Sequence, residues 1–440
     1  MNSLQTRLSD ALQPWRDASG WCVALSGGLD STVLLHLLAS WARQEPLPPL
    51  RALHIHHGLQ AIADAWPAHC QAVCAALGVP LQVLAVQVDA GASIEQAARR
   101  ARYSAFANNL TTGELLLTGQ HADDQAETLL FRLLRGAGVQ GLAAMPAGRA
   151  LGDGHLLRPL LGCSRTELQA YAQAHGLAWV EDPSNADIHF ARNFLRQRVM
   201  PLLAERWPRA QASMARSAEH LREATQLLAE LAELDLEAAV MEAPEYAWLG
   251  VPNLPLGPLA ALSEARQRNV LRYWLRPLTR MPDTEHWAGW QALRDAAVDA
   301  APVWVVGQGQ LRRGDARIWW LAGEWLVEPG VLPMTEPDED WLELPANGRV
   351  RIEGHLPAGQ WRLTYRVGGE QMLLPGRGHR DLKRLLNERR VPAFVRTRLP
   401  LLWRDGQLLA LANLPGLDGP TDGAWRLIWQ PPSSDQGLSC

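Results

Sequence analysis

Residues 23–38 read VALSGGLDSTVLLHLL. A short apolar run ends at Leu25. A glycine pair flanked by hydroxyls follows, in Ser26-Gly27-Gly28-Leu29-Asp30-Ser31, and a second apolar run begins with helical spacing. The stretch therefore reads as strand, tight turn and helix. Gly27 and Gly28 let the backbone turn sharply and approach an anion with no Cβ in the way. Ser26 and Ser31 supply hydroxyl donors, and the free N–H groups of the helix start add partial positive charge. Asp30 is the odd member, because a carboxylate beside phosphates repels them unless a divalent cation stands between.

Outward from this turn the strand–helix pattern repeats. WCVAL (21–25), RALHI (51–55), LQVLAV (81–86) and ELLLTG (114–119) are short and apolar, and longer segments with a 3.6-residue period, such as 31–42 and 94–109, lie between them. A further helix runs from a capping Ser164, with Glu167 at the reciprocal position, to His175, and Gly176 ends it. Alternation of this kind predicts an α/β fold, a doubly wound and mainly parallel sheet with helices on both faces. The first strand-to-helix turn of such a sheet faces the crevice where nucleotides bind.

The remaining chain changes character. Residues 205–245 are helical in pattern, and PEYAWLGVPNLPLGPLAAL (244–262) is a proline-rich break. A smaller helical unit with a hairpin-like end, VWVVGQGQLRRGDARIWWL (303–321), fills the middle, and an acidic, proline-rich stretch over 328–347 reads as a linker. We expect a nucleotide-binding domain over 1–215, a small, mainly helical domain over 216–327 and a small α+β domain over 348–440, consistent with a chain of 440 residues.

Composition removes whole classes of protein. Hydrophobic residues make up 47%, no apolar run reaches about 18 residues, and the first residues lack the apolar core of a signal peptide. A cytoplasmic protein with no membrane contact is the expectation. Five cysteines with no CxxC pair argue against a zinc site or a disulfide framework. Lys383 is the only lysine, so no Gly-Lys-Ser/Thr phosphate loop exists and no other lysine can serve as a covalent carrier. Any grip on phosphate has to come from backbone amides, hydroxyls and arginine.

A second motif lies in LLLTGQHADDQAETLLFRLLRG (115–136), a strand followed by a helix with His121, Asp124 and Glu127 near its start. Asp124 and Glu127 are one turn apart and project from one face toward the carboxyl edge of the sheet. Together with Asp30 they surround one crevice, and Asp30 and Asp124 are suited to hold Mg2+ against phosphate oxygens.

SGGLDS resembles the pyrophosphate-binding loop of the N-type ATP pyrophosphatases, the PP-loop superfamily. The stretch 115–145 further resembles a signature of the tRNA(Ile)-lysidine synthetases. HIHHGLQAIADAW (54–66), ARRARY (98–103), LRPLLGCSRTELQAYAQAHGLAWVEDPSNADIHFARNFLRQRVMPLL (157–203), RNVLRYWL (268–275) and the basic segment 376–403 do so as well, so the likeness spans nearly the whole chain. It implies an enzyme that uses ATP and Mg2+ and acts on a minor isoleucine tRNA with a CAU anticodon. The C2 oxygen of the first anticodon cytidine attacks the α-phosphate, pyrophosphate leaves, and the amine of free L-lysine displaces AMP from C2. No obligatory protein partner is implied. It also implies that Ser26, Gly27, Gly28, Leu29, Asp30 and Ser31 bind ATP and that Asp30, His121, Asp124 and Glu127 are catalytic. The ammonium of lysine must lose a proton before attack, and Glu127, His121 and Asp182 are the groups expected to accept it. Arg102, Asp182, Arg192 and Asn193 are candidate substrate contacts, although Asp182 also suits a plain turn and Arg192 and Asn193 a helix anchor. The alternatives are another PP-loop tRNA-modifying enzyme, such as a thiolase, and a non-catalytic RNA-binding relative.

GRGHRDLKRLLNERRVPAFVRTR (376–398) is strongly basic inside an otherwise acidic chain of net charge −4. Arg377, Arg380, Lys383, Arg384, Arg389, Arg390, Arg396 and Arg398 face only Asp381 and Glu388. A short helix over 380–390 is expected to bury Leu382, Leu385 and Leu386 and to turn its basic side chains outward, toward tRNA phosphates.

Overall fold

In the computed structural model, residues 3–58, 61–88, 94–239, 245–279, 287–297, 300–330, 332, 339–420 and 422–433 are described. The chain divides into two compact units, Met1–Leu227 and Leu228–Cys440.

The first unit is built on six strands: β1 (Trp21–Ala24), β2 (Leu50–His56), β3 (Leu81–Ala85), β4 (Leu115–Leu117), β5 (Gly148–Leu151) and β6 (Gly154–Leu157). Their order across the sheet is β3-β2-β1-β4-β6-β5. Every pairing is parallel except the β5–β6 edge hairpin. Alternation decides which side chain goes where. Trp21 and Val23 of β1, Ala52 of β2 and Leu115 and Leu117 of β4 enter one core with the helix Leu29–Ala42. Cys22, Leu53, Ile55 and Leu116 enter a second core on the opposite face. With both faces covered, β1 and β4 are apolar along their whole length, as a parallel sheet requires.

The strand order reverses between β1 and β4, so the loops leaving these two strands flank one crevice at the carboxyl edge. The loop after β1 is SGGLDS, and that after β4 leads through Thr118, Gly119 and Gln120 to the helix Ala122–Leu133. The approach is close: a Cβ on Gly119 would lie 2.9 Å from the carbonyl carbon of Asp30 and 3.0 Å from the nitrogen of Ser31. The helical pattern over 205–245 resolves into Met200–Arg206 and a long helix Ala210–Ala239, separated by a turn at Trp207-Pro208.

The second unit holds two cores. Helices Leu256–Ala261, Glu264–Leu275 and Trp287–Asp295 pack on a four-stranded antiparallel sheet, which contains the expected hairpin as Val303–Val306, Gly309–Gly314 and Arg317–Leu321. Beyond residue 340 come a three-stranded and a five-stranded sheet. Their core is shared with Tyr246, Leu249, Trp319 and Trp325, which belong to segments far earlier in the chain. Part of the expected linker, residue 331 and residues 333–338, lies outside the described residues.

Candidate active site

The SGGLDS turn is held by its own hydroxyls. Ser31 Oγ donates to the Gly28 carbonyl at 3.1 Å and accepts from the Ser26 amide at 3.2 Å, and the Gly28 amide donates to Ser26 Oγ at 3.3 Å. Gly27 has φ +86°, a left-handed conformation that favours glycine, and a Cβ there would press on Cys70 Sγ and Val180 Cγ2 at 3.1 Å. Gly28 is the N-cap of the helix Leu29–Ala42, and no side chain caps it. The first N–H groups of this helix are thus left for a ligand in the crevice.

A cavity of about 890 Å3 opens over this turn. Its wall includes Ser26, Gly28, Leu29, Asp30 and Ser31, and across from them Asp124, Arg102, Asp182 and Arg196. That volume is in the range of sites for nucleotide-sized ligands. Arg99 also lines it, its guanidinium stacked 4.8 Å above the Tyr103 ring.

His121 lies behind the wall, 1% exposed. Its Nε2 is 3.6 Å from an oxygen of Asp30 and 3.6 Å from one of Asp124, and its Nδ1 is 3.5 Å from Asp123. Burial alone would lower its pKa, but Asp123, Asp30 and Asp124 together push it up to about 10. The three carboxylates thus favour the charged imidazole, which would hold Asp30 and Asp124 in place. Asp30 keeps one buried oxygen, Oδ1, without a hydrogen-bond partner.

Glu127 is 2% exposed and faces two arginines. Arg196 Nε donates to Oε1 at 2.6 Å and its Nη2 to Oε2 at 2.9 Å, while Arg192 Nε donates to Oε2 at 3.2 Å. Both arginines also reach Asp124 Oδ1, at 3.0 and 3.1 Å. Both oxygens of Glu127 are thus occupied by guanidinium donors, which leaves it poorly placed to take a proton from an amine. Arg196 was missed at the sequence level, and its only signal is a position four residues after Arg192. The helical turn Leu195–Val199 that carries it has π-type hydrogen bonding, which is often found at functional sites.

The structure does not bring all candidates to the cavity. Asp182 lines it and caps the turn Pro183–Ala186 by accepting from the Ser184 amide at 2.9 Å. Asn193 instead donates to the carbonyls of Ser184 and Asp187 at 2.8 and 2.9 Å, so it anchors that turn. Arg377, Arg380, Lys383, Arg384, Arg389 and Arg390 are all exposed in the second unit, and the helix Leu382–Glu388 buries Leu382, Leu385 and Leu386. Arg398 departs from expectation. It is 5% exposed, donates to the carbonyls of Ala346, Glu324 and Trp325, and stacks on the Trp325 ring, so it serves the core and not a ligand.

Three families match the sequence: a PP-loop domain over residues 1–203, a TilS substrate binding domain over 254–319 and a TilS substrate C-terminal domain over 361–429. The tRNA(Ile)-lysidine synthase of Pseudomonas aeruginosa is 62% identical over 440 residues, covering 99% of each chain. The chain belongs to the tRNA(Ile)-lysidine synthase family. That of Pseudomonas fluorescens is 61% identical over 435 residues, covering 99% of this chain and 98% of the relative, and that of Alkalilimnicola ehrlichii is 45% identical with 90% of each covered. Members of the tRNA(Ile)-lysidine synthase family are carbon–nitrogen ligases, and the PP-loop domain supports the use of ATP by this chain. The thiolase alternative falls with this assignment, and the cysteines agree. Cys22, Cys70, Cys74 and Cys163 are buried, and burial pushes Cys22 and Cys70 up to about 12 and Cys74 to about 11, far from a reactive thiolate.

Proposed function

We propose that the protein ligates free L-lysine to C2 of the cytidine at the first anticodon position of an isoleucine tRNA with a CAU anticodon. ATP is consumed, lysidine, AMP and pyrophosphate form, and the codon read changes from AUG to AUA. The observation that carries this reading is the 62% identity that runs the whole length of the chain to a protein named for that product.

The chemistry has two halves. In the first, the cytosine O2 attacks the α-phosphate and pyrophosphate leaves. Backbone amides at the start of the helix Leu29–Ala42 and the hydroxyls of Ser26 and Ser31 face the phosphates, where they offset the charge developing on the leaving group. Asp30, with its unpartnered Oδ1, suits Mg2+, which takes one or two carboxylates plus phosphate oxygens, whereas Asp124 would have to give up a contact to Arg192, Arg196 or the His121 amide to join it; among the described residues no three-ligand protein cage exists. When bound, that ion would neutralise charge on the phosphates. Arg196, on the cavity wall, is fixed by Glu127 and Asp124 in a charge-balanced cluster with Arg192, which orients its guanidinium beside the crevice.

In the second half the ammonium of lysine must shed a proton before attack. Of the three groups expected from the sequence, His121 is buried behind the cavity wall among Asp30, Asp123 and Asp124, and both oxygens of Glu127 are occupied by guanidinium donors. Asp182 lines the cavity, and among the described residues its Oδ2 accepts no hydrogen bond, which supports it as the group that holds the amine and takes its proton. Arg102, on the same wall, suits the substrate's anionic groups. The exposed Arg377, Arg380, Lys383, Arg384, Arg389 and Arg390 suit the tRNA backbone away from the anticodon. Free lysine and mature tRNA are pools of the cytoplasm, which we take as the protein's location. No helix among the described residues is long and apolar enough to cross a membrane.

Mixing ATP labelled at the α-phosphate with lysine and an unmodified tRNA transcript tests this. AMP should form only when lysine and tRNA are both present, and AMP that needs ammonia or sulfide instead would overturn the reading.

A further inference from the structure

The segment FARNFLRQR (190–198) reverses the ordinary arrangement of an amphipathic helix. Positions four apart share one side of a helix, and positions two apart fall on nearly opposite sides. Arg192 and Arg196 point inward, to Asp124 and Glu127, and Leu195 beside them is buried. Phe190, which precedes the helical turn Ala191–Phe194, and Phe194 are 41% and 45% exposed, with exposed Arg198 four residues further on. A surface helix usually hides its aromatic rings and shows its charges. Here the charges are needed inside, and two rings are left facing solvent.

Their place in the chain gives this meaning. Asn185 and Ala186 before them, and Arg196 and Gln197 after them, line the cavity, so the segment that carries the rings is bounded at both ends by cavity residues. Ile188, 39% exposed, extends the apolar strip. A base whose C2 is to be attacked cannot stay in a stack, and drawing it out costs a few kcal/mol and strips its neighbours of stacking partners. Aromatic rings on a segment bounded by cavity residues can replace those partners, because every base offers a π face, and the nearby guanidinium of Arg198 suits the intervening phosphate.

We propose that Phe190 and Phe194 are stacking platforms for the unpaired anticodon-loop bases next to the modified cytidine. The inference rests on the reading above and specifies how its tRNA is held at the chemistry. The occupant is a single strand, not a duplex, since a paired base has no free face to offer. It is not a second copy of this chain either, because the flanking arginines suit phosphate.

Direct binding of a labelled tRNA transcript to the full-length protein tests it, with F190L, F194L, the double variant and F194W. Leucine keeps an apolar side chain at an exposed position, so folding should be untouched, and an unchanged melting temperature checks this. Each leucine variant should weaken tRNA binding by roughly 5- to 100-fold, F194W should bind like the parent, and ATP affinity should not move. A transcript whose anticodon loop is closed into a continuous duplex should bind parent and double variant alike. If the double variant binds the normal transcript within about twofold of the parent, the inference is wrong. A shift from dimer to monomer with unchanged tRNA binding would make the strip a self-association surface and overturn it equally. Should the parent form no lysidine while the leucine variants still lose tRNA, the stacking platform stands and the proposed reaction falls.

Discussion

Arg196 grips Glu127 with two parallel hydrogen bonds, Nε to Oε1 at 2.6 Å and Nη2 to Oε2 at 2.9 Å, across 69 positions of sequence. A fork of this kind fixes both the distance and the orientation of a charge. It turns Glu127 from an apparent base into the support of a cation. Glu127→Gln should therefore slow AMP formation by about 100-fold or more while leaving the pH dependence of the residual rate unchanged. Asp124→Asn should slow it by a similar factor. A rate near the parent's in both, measured in single turnover, would return this helix start to an ordinary acidic first turn.

Asp30→Ala should abolish AMP formation with tRNA affinity close to that of the parent, since Asp30 faces the cavity, and it should lower thermal stability modestly because the buried His121 loses one of its carboxylate partners. Calorimetric ATP binding and a filter assay for tRNA separate the two effects. Unchanged turnover removes Asp30 from the site.

At Gly119 the backbone of one loop rests on the backbone of the other. In Gly119→Ala the new methyl would meet the Asp30 carbonyl carbon at 2.9 Å and the Ser31 nitrogen at 3.0 Å, and neither can swing aside as a side chain could. Overpacking of this kind costs about 1–3 kcal/mol. The loop should shift, raising the KM for ATP and lowering the melting temperature together. A variant with normal ATP kinetics contradicts the close approach.

Glu114 ties the opposite end of the sheet. It accepts from Arg51 at 2.6 and 2.8 Å and from the Thr111 amide at 3.0 Å, and is 3% exposed. Burial alone would raise its pKa, but Arg51 and Thr111 hold it below the ordinary glutamate range. A carboxylate depressed in the folded state stabilises above its unfolded pKa, and the stabilisation is lost as pH falls through the folded value. Glu114→Gln should cost about 2–4 kcal/mol at neutral pH, with the gap to the parent closing as the solution is acidified below about pH 4. Melting curves across that range check the sign. A constant gap would mean that packing, not charge, is at stake.

The exposed basic side chains of the last sheets call for substitution rather than deletion. Tyr246, Trp319 and Trp325 share a core with Leu382, Phe394 and Trp429, so cutting the chain near residue 348 would open that core and confuse lost binding with lost folding. Replacing Arg377, Arg380 and Arg384 by glutamine should weaken tRNA binding and flatten its dependence on salt. The logarithmic slope should fall by about 0.7–0.9 for each phosphate left without its cationic partner. An unchanged slope would place the electrostatic grip elsewhere.

The sequence made the first unit legible because period-2 and period-3.6 patterns alternate cleanly there, and because the SGGLDS turn permits few backbones. Ser26, Gly28, Asp30 and Asp124 could be assigned to one crevice from strand ends alone. Arg196 could not, because its partners are distant in sequence and an arginine four residues from another is ordinary on any helix. His121 was legible as a site residue but not in its state, since only the fold brings Asp30, Asp123 and Asp124 around it. Arg398 looked like one more member of a basic run, and its burial against Trp325 and four backbone carbonyls, those of Glu324, Trp325, Val327 and Ala346, follows from a core joining segments some 50 to 70 residues apart. Runs of like charge reveal a bias in sign but not which member turns inward.

The decisive measurement is lysine-dependent release of AMP from α-labelled ATP in the presence of an isoleucine tRNA transcript with a CAU anticodon. AMP and a lysine-bearing tRNA should form in equal amounts, and both should be absent when lysine, tRNA or Asp30 is removed. AMP formed without lysine incorporation, or incorporation without AMP, would contradict the proposed ligation.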